Sequence, residues 1–296
     1  MNLFPNFRNK RVRTSGATIN LVLGGEGPPV LLLHGYPQTH AMWHKVAPQL
    51  ARDYTVVCAD LRGYGDSSKP KGVPGHANYA KRAMARDMVE MMEQFGYLGF
   101  HVVGHDRGGR VAHRMARDYG RRVRTLTVLD ISPTLKMYES TNKAFATAYY
   151  HWFFLIQKPP LPETMIAAMG PNYLLGRIGR SKGGLGHFSP AVQREYVRAF
   201  RNPRTIHATC EDYRAAASID LVHDKRDLRK KIKMPVLVLW GKQGVIERMF
   251  DPLRDWREVA ADVTGRALDC GHFLPEEKPK EVLAELRRFL GRQPRD

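Results

Sequence analysis

The sequence predicts an α/β architecture: a mostly parallel, doubly wound sheet carrying a helical insertion. Two observations predict it. Short apolar runs alternate with stretches of helical spacing, and one long stretch holds no such run. The runs are Val30–Leu33, Thr55–Ala59, His101–Val103, Thr125–Leu129 and Val236–Trp240. They are rich in Val and Leu, as strands buried on both faces are. Helical patterns lie between them, at Tyr79–Phe95 and Gly109–Tyr119. Strand, helix, strand in series means parallel neighbours joined by crossovers. From Pro133 to Ile219 the rhythm breaks. That stretch has aromatics ("YYHWFF", Tyr149 to Phe154), a proline cluster (Lys158 to Pro162) and a glycine-rich loop ("KGGLGHF"). The expected organisation is therefore a core of residues 1–132 and 220–296, with a helical cap at 133–219. Insertions at the carboxyl end of a parallel sheet lie where such folds bind ligands, so this one is a candidate lid.

Composition sets the bounds. A chain of 296 residues is long enough for one large domain or a domain with an insertion. Its 43% hydrophobic and 9% aromatic content fits a globular core. No apolar run approaches the roughly 20 residues that span a bilayer. The start, "MNLFPNFRNKRVRT", shows no apolar signal region. Cys58, Cys210 and Cys270 are far apart and lack metal-ligand spacing, so reduced thiols in a cytoplasm are expected rather than a disulfide framework or a metal site. The net charge of +18 is high. It is scattered, with only short clusters such as "RRVR" (Arg121 to Arg124) and "KRDLRKKIK" (Lys225 to Lys233). A solvated basic surface is the expectation, with no nucleic-acid or membrane partner.

The stretch "VVGHDRGGR", Val102 to Arg110, ends an apolar run in an aspartate between glycines. It resembles the G-x-S-x-G nucleophile elbow, with Asp106 at the serine position. An aspartate capping the next helix would look the same locally. Three other stretches favour the elbow. "LLLHGYPQ" (Leu31 to Gln38) looks like an oxyanion loop after an early strand. "DLRGYGDSSKP" (Asp60 to Pro70) follows the next strand. "DCGHF" (Asp269 to Phe273) places a histidine near the C-terminus. Together they predict the α/β-hydrolase fold.

An aspartate nucleophile states a reaction. A serine attacking a saturated carbon would leave an ether that is not readily released. A carboxylate leaves an ester, which water can cleave at its own carbonyl. The leaving group is then a halide, or the alkoxide of a strained epoxide. His272 is the candidate base that activates the water, and it needs a carboxylate to orient it. Many α/β-hydrolases place that acid after the penultimate strand, but the text there is "GKQGVIE", with no aspartate. Thr125–Leu129 ends instead in Asp130. Asp130 is the assigned acid, with Glu247 as the alternative.

Arg107 and Arg110 are three residues apart at the start of a helix and share a face. Cations there oppose the macrodipole, so compensating anions are expected. Asp106 is one. A substrate carboxylate is a natural second, because guanidinium binds carboxylate through a fork of N–H groups. Two solvated surface arginines are the bland alternative. An α-halo acid supplies both an anchored carboxylate and a leaving group on the adjacent carbon.

Across nearly its whole length the sequence resembles the fluoroacetate (haloacetate) dehalogenases of the α/β-hydrolase superfamily. "GHDRGGR", "ADLRGYGDSSKP", "CEDYRAAASIDLVHD" and "GHF" carry the resemblance. It implies Asp106 as nucleophile, His272 as base and Asp130 as its partner, with Arg107 and Arg110 holding the carboxylate. It implies a halide pocket of His151, Trp152 and Tyr213, and it suggests a homodimer. The expected oxyanion donors are the backbone N–H groups of Arg107 and Tyr36. The substrate is a small haloacid, hydrolysed without metal or organic cofactor. Two rivals remain. Epoxide hydrolases share the aspartate elbow, but usually carry tryptophan after the nucleophile and use lid tyrosines on the epoxide oxygen. A hydrolase-fold binder without turnover is the other.

Overall fold

The computed structural model describes residues 2–292. Eight strands form one sheet: β1 (Arg8–Arg13), β2 (Thr18–Gly24), β3 (Pro29–Leu33), β4 (Thr55–Ala59), β5 (Phe100–His105), β6 (Val123–Leu129), β7 (Val236–Gly241) and β8 (Val263–Leu268). Their order across the sheet is β1-β2-β4-β3-β5-β6-β7-β8. The pairs β1/β2 and β2/β4 are antiparallel, and every later pair is parallel. The strand order reverses beside β3, so β3 and β5 are adjacent at the switch where such sheets bind ligands.

All five expected strands are present, with ends shifted by a residue or two. β4, β5 and β7 are buried at every position, as their continuous apolar runs predict. β1, β2 and β8 escape that signal for physical reasons. β1 ("RNKRVR") is an exposed edge strand dense in cations, a composition that blocks pairing with another chain. β8 ("VTGRAL") is the opposite edge and mixes exposed with buried residues. β2 alternates at its start, where Ile19 and Leu21 face inward.

Helix α1 (Lys81–Gln94) matches its expected span. Helix α2 (Asp106–Asp118) begins earlier than the expected Gly109. The chain leaves β5 through a single residue of positive φ, Asp106, and enters the helix without a loop. Two glycines permit this. A Cβ on Gly104 would lie 2.5 Å from the Gly108 carbonyl oxygen, and one on Gly108 would lie 2.5 Å from the His34 oxygen. The Gly108 N–H donates to that His34 oxygen at 2.9 Å. The base of α2 is thus clamped to the end of β3.

Between β6 and β7 the described residues contain helices and no strand, from Thr134 to Asp227. They include α3 (Tyr150–Leu155), α4 (Pro171–Ile178) and α5 (Pro203–Ala216). α5 is buried along most of its length. It packs against α3, the helix Leu161–Met169 and the short turn of helix Pro74–Tyr79. Asn202 starts it, its side chain accepting from the Arg204 N–H, with proline at the first helical position. The three cysteines are buried and unpaired. Among the described residues no helix is long and apolar enough to cross a membrane.

Candidate active site

Asp106 stands where β5 becomes α2, with φ of +47°. Such a backbone costs a non-glycine residue about 1–3 kcal/mol and recurs at functional sites. Its Oδ1 accepts the Tyr36 N–H at 2.9 Å, and only 4% of the residue is exposed. Burial pushes the carboxyl up, but His272, His105, Arg110 and Arg107 together outweigh it and hold Asp106 below the usual carboxylate range. The N-terminus of α2 adds a favourable dipole. The Arg107 amide also lies at this terminus, where a helix leaves its N–H groups without internal partners.

Asp130 follows β6 in the same strained region, φ +54°. Its Oδ1 accepts the Gly241 N–H at 2.9 Å, and its Oδ2 lies 2.5 Å from His272 Nδ1. Nδ1 therefore carries the proton, and Nε2 remains for the site. Burial lowers the His272 pKa, but the hydrogen bond and charge of Asp130, then the charge of Asp106, raise it overall. His105 holds the backbone behind this ring. Its Nε2–H donates to the His272 carbonyl at 2.8 Å, and burial pulls its pKa down to about 3, so it stays neutral. Glu247 is engaged elsewhere: it is exposed and accepts from the Trp240 indole N–H. The histidine partner at the site is Asp130.

The two arginines are buried, at 0% and 2% exposure, which removes the surface reading. They are not equivalent. Arg107 donates from Nε and Nη2 to both carboxylate oxygens of Asp212, at 2.9 and 2.8 Å. Asp212 also accepts from Lys81 and from the Tyr64 hydroxyl. Burial opposes the Arg107 charge, but Asp212 outweighs it and raises the pKa. Arg110 has no such partner. It donates to the Thr134 hydroxyl at 2.9 Å and reaches the Ser132 oxygen and the Met137 sulfur. Burial, then Arg107, pulls its pKa down, against the attraction of Asp106. Part of the compensating anion expected for the pair comes from the protein itself. α5 supplies Arg107 with Asp212, whereas Arg110 hydrogen-bonds only neutral acceptors.

The remaining predicted residues pack on this pair. The Arg107 guanidinium lies 4.0 Å over the Tyr213 ring, and that of Arg110 lies 4.6 Å over Trp152. Tyr213 meets Tyr36, His151 and Trp152 edge-on, with centroids 5.3, 5.9 and 6.4 Å apart. Arg107 Nη1, Arg110 Nε, His151 Nδ1, Trp152 Nε1 and the Tyr213 hydroxyl are all buried without a hydrogen-bond partner. Buried polar groups are normally satisfied, and five orphans in one cluster mark a place for a small, electron-rich ligand. Burial, then Arg177, keeps His151 neutral, and burial, then Asp106, keeps Tyr213 protonated. Beside the cluster is a cavity of about 730 Å³ whose wall includes Tyr36, Asp106, Asp130, Tyr149, His151 and His272. Among the described residues no group of His, Cys, Asp and Glu could hold a metal ion.

A family model described as the alpha/beta hydrolase fold matches residues 28–279. The chain belongs to the α/β-hydrolase family. Within it, the fluoroacetate dehalogenase of Burkholderia sp is 45% identical over 97% of this chain and 95% of its own, which bears out the resemblance carried by the motifs. The soluble epoxide hydrolase of Corynebacterium sp. (strain C12) is 35% identical over 93% and 94%. Among solved structures, ALR0039 from Nostoc sp PCC 7120 superposes with a TM-score of 0.96 at 57% identity, covering 97% of this chain and 99% of that one. This α/β-hydrolase thus has relatives named for two different leaving groups.

Asp212 is the site residue that sequence reading missed, although it adjoins Tyr213 in "CEDYR". Replacing it with Asn should leave Arg107 buried without its counter-charge. Breaking a buried pair in this way costs about 3–5 kcal/mol. Urea unfolding of Asp212→Asn should show a loss of that order. A loss well under about 1 kcal/mol, the scale of an exposed pair, would mean that Asp212 does not hold Arg107.

Proposed function

We propose that the chain hydrolyses haloacetates, fluoroacetate and chloroacetate among them, to glycolate and halide through an ester on Asp106. The observation that carries this reading is Arg110: a buried guanidinium beside a carboxylate nucleophile, with an unpaired N–H and no acid of its own. A substrate carboxylate satisfies it, with Arg107 Nη1 as the second donor. The halogen-bearing carbon is then held next to Asp106.

The steps follow from the contacts. Asp106 Oδ2 attacks the carbon from behind. A C–O bond forms, the C–halogen bond breaks, and the halide leaves with the bonding pair. His151, Trp152 and Tyr213 offer it N–H and O–H donors in place of water. Fluoride, small and strongly hydrated, needs this replacement most. His272 Nε2 then takes a proton from water as its oxygen adds to the ester carbonyl of Asp106. The oxyanion develops on Oδ1, which already accepts the Tyr36 N–H at 2.9 Å. The bond between Asp106 Cγ and Oδ2 breaks, and Oδ2 leaves as the glycolate hydroxyl with the proton returned from His272. The second proton of the water is released, and the carboxylate of Asp106 returns carrying the water oxygen. Esterification also removes the Asp106 charge that helps raise the His272 pKa. The histidine is thereby freed of part of its bias toward the protonated form when a base is needed. The helices between β6 and β7 act as a cap that brings Tyr213, His151 and Trp152 over the sheet.

Epoxide hydrolysis would use the same aspartate and histidine. It gives Arg110 no anion, and it leaves Arg107 where such enzymes usually have tryptophan. Purified protein releasing fluoride or chloride from haloacetates, with no diol from styrene oxide, supports dehalogenation. The reverse result supports the rival.

His272→Asn should form the ester and fail to hydrolyse it. One halide per protein should be released, and intact-mass analysis should find a glycolyl adduct on Asp106. Sustained turnover by this variant would remove His272 from the role of base. Trp152→Phe keeps an aromatic ring and deletes one donor. Losing a donor to a developing anion costs about 2.7–4 kcal/mol in comparable sites. Defluorination should fall by roughly that factor while dechlorination is largely kept. An equal fall on both substrates would indicate general damage to the helical layer.

A further inference from the structure

The cavity is larger than a haloacetate needs. Its volume of about 730 Å³ falls in the range of roughly 300–1,000 Å³ that encloses drug-sized ligands. A haloacetate is only a methylene, a carboxylate and a halogen. The wall carries Lys143, Arg177, Arg180, Lys182 and Arg248, while the acids on it are Asp106 and Asp130. Asp130 is already taken up by His272 and Gly241.

Arg177, on α4, differs from the other rim cations. Its Nε and Nη1 are buried and have no hydrogen-bond partner. Its ring contact is Tyr150, 5.9 Å from the guanidinium carbon, which Arg180 shares at 5.6 Å. Among the described residues no carboxylate forms an ion pair with it. A guanidinium that is desolvated and unpaired is costly unless a ligand supplies the acceptor. Its field reaches the inner site, where it is the strongest neighbouring charge on the His151 ring. Arg177 lines the open cavity, whereas Arg110 is buried and is not part of the cavity wall.

We propose that Arg177 forms an outer anion subsite that binds a second carboxylate, so that the substrates include 2-halo dicarboxylic acids. This rests on the haloacid reading of the inner site. Arg110 and Arg107 take the carboxylate next to the halogen-bearing carbon, and Arg177 takes the distal one. Displacement and hydrolysis run as for a haloacetate: the C–halogen bond breaks, one oxygen from water is added overall, and halide and a proton are released. The product is a 2-hydroxy dicarboxylate. The remaining rim cations, which are more exposed, attract the dianion without fixing its position.

Calorimetry with succinate and butyrate tests the subsite without turnover, since the two differ by a distal carboxylate against a methyl. The wild-type protein should bind succinate roughly tenfold or more tightly than butyrate, as a charge-assisted contact implies. Arg177→Gln should erase that difference, and Arg177→Lys should restore much of it. Thermal unfolding confirms that each variant is folded. If Arg177→Gln does not fold, the wild-type ratio and the Lys variant still decide. Equal affinity for the two acids in the wild type, or a preference that survives Arg177→Gln, overturns the proposal. Chloride release from 2-chlorosuccinate and 2-chlorobutyrate should show the same preference as a difference in KM. A preference for succinate in a protein that releases halide from no haloacid would sink the dehalogenase reading and leave the subsite standing. Turnover of chloroacetate without any preference for dicarboxylates would do the opposite.

Discussion

Two guanidinium charges buried within one turn of a carboxylate set the terms for the rest of the site. Taking a cation out of water is expensive, and the protein handles the two arginines differently. Arg107 is paired inside the protein, through Asp212 on α5. Arg110 is held by neutral oxygens and a sulfur. The first arrangement ties the helices between β6 and β7 to the base of α2, across 105 residues of sequence. The second leaves net positive charge beside Asp106. It adds to the charge of His272, the larger influence, in holding the Asp106 carboxyl below its usual range. Buried donors of His151, Trp152 and Tyr213 beside it likewise have no hydrogen-bond partner.

The sheet supplies the rest. β5 and β6 are parallel neighbours in register, with His105 opposite Leu129. Asp106 and Asp130 follow these partners directly, and both adopt positive φ. One carboxylate is turned toward the open site and the other toward His272. The clamp between Gly108 and His34 sets the Tyr36 amide on Asp106 Oδ1. The two oxygens of that side chain are thereby distinguished: Oδ1 is fixed by the amide, and Oδ2 is the one that the proposed reaction uses.

Much of this was legible in the sequence because it is written locally. The elbow glycines, the "HGYP" loop and the histidine before Phe273 are short patterns whose meaning is settled by their occurring together. Placing the acid at Asp130 needed only the absence of an aspartate after β7. What the sequence concealed was written across long separations. Asp212 reads as an ordinary helical acid until α5 is laid against α2. Arg177 is one basic residue among 47 Lys and Arg until burial singles it out. Edge strands β1 and β8 were hidden because an edge must be polar to avoid pairing. The difference between Arg107 and Arg110 could not be read from spacing, since both lie on the same helical face.

The chain is similar both to a relative named for dehalogenation and to one named for epoxide hydrolysis. The proposed catalysis depends on a covalent ester at Asp106. A single turnover of chloroacetate in oxygen-18 water, with protein in excess, tests it most directly. The first glycolate should carry unlabelled oxygen from Asp106 at its hydroxyl carbon, and oxygen-18 should appear in the Asp106 carboxylate of the peptide that contains it. Labelled hydroxyl in that first glycolate, with Asp106 unlabelled, would mean that water attacks the substrate directly and would contradict the account.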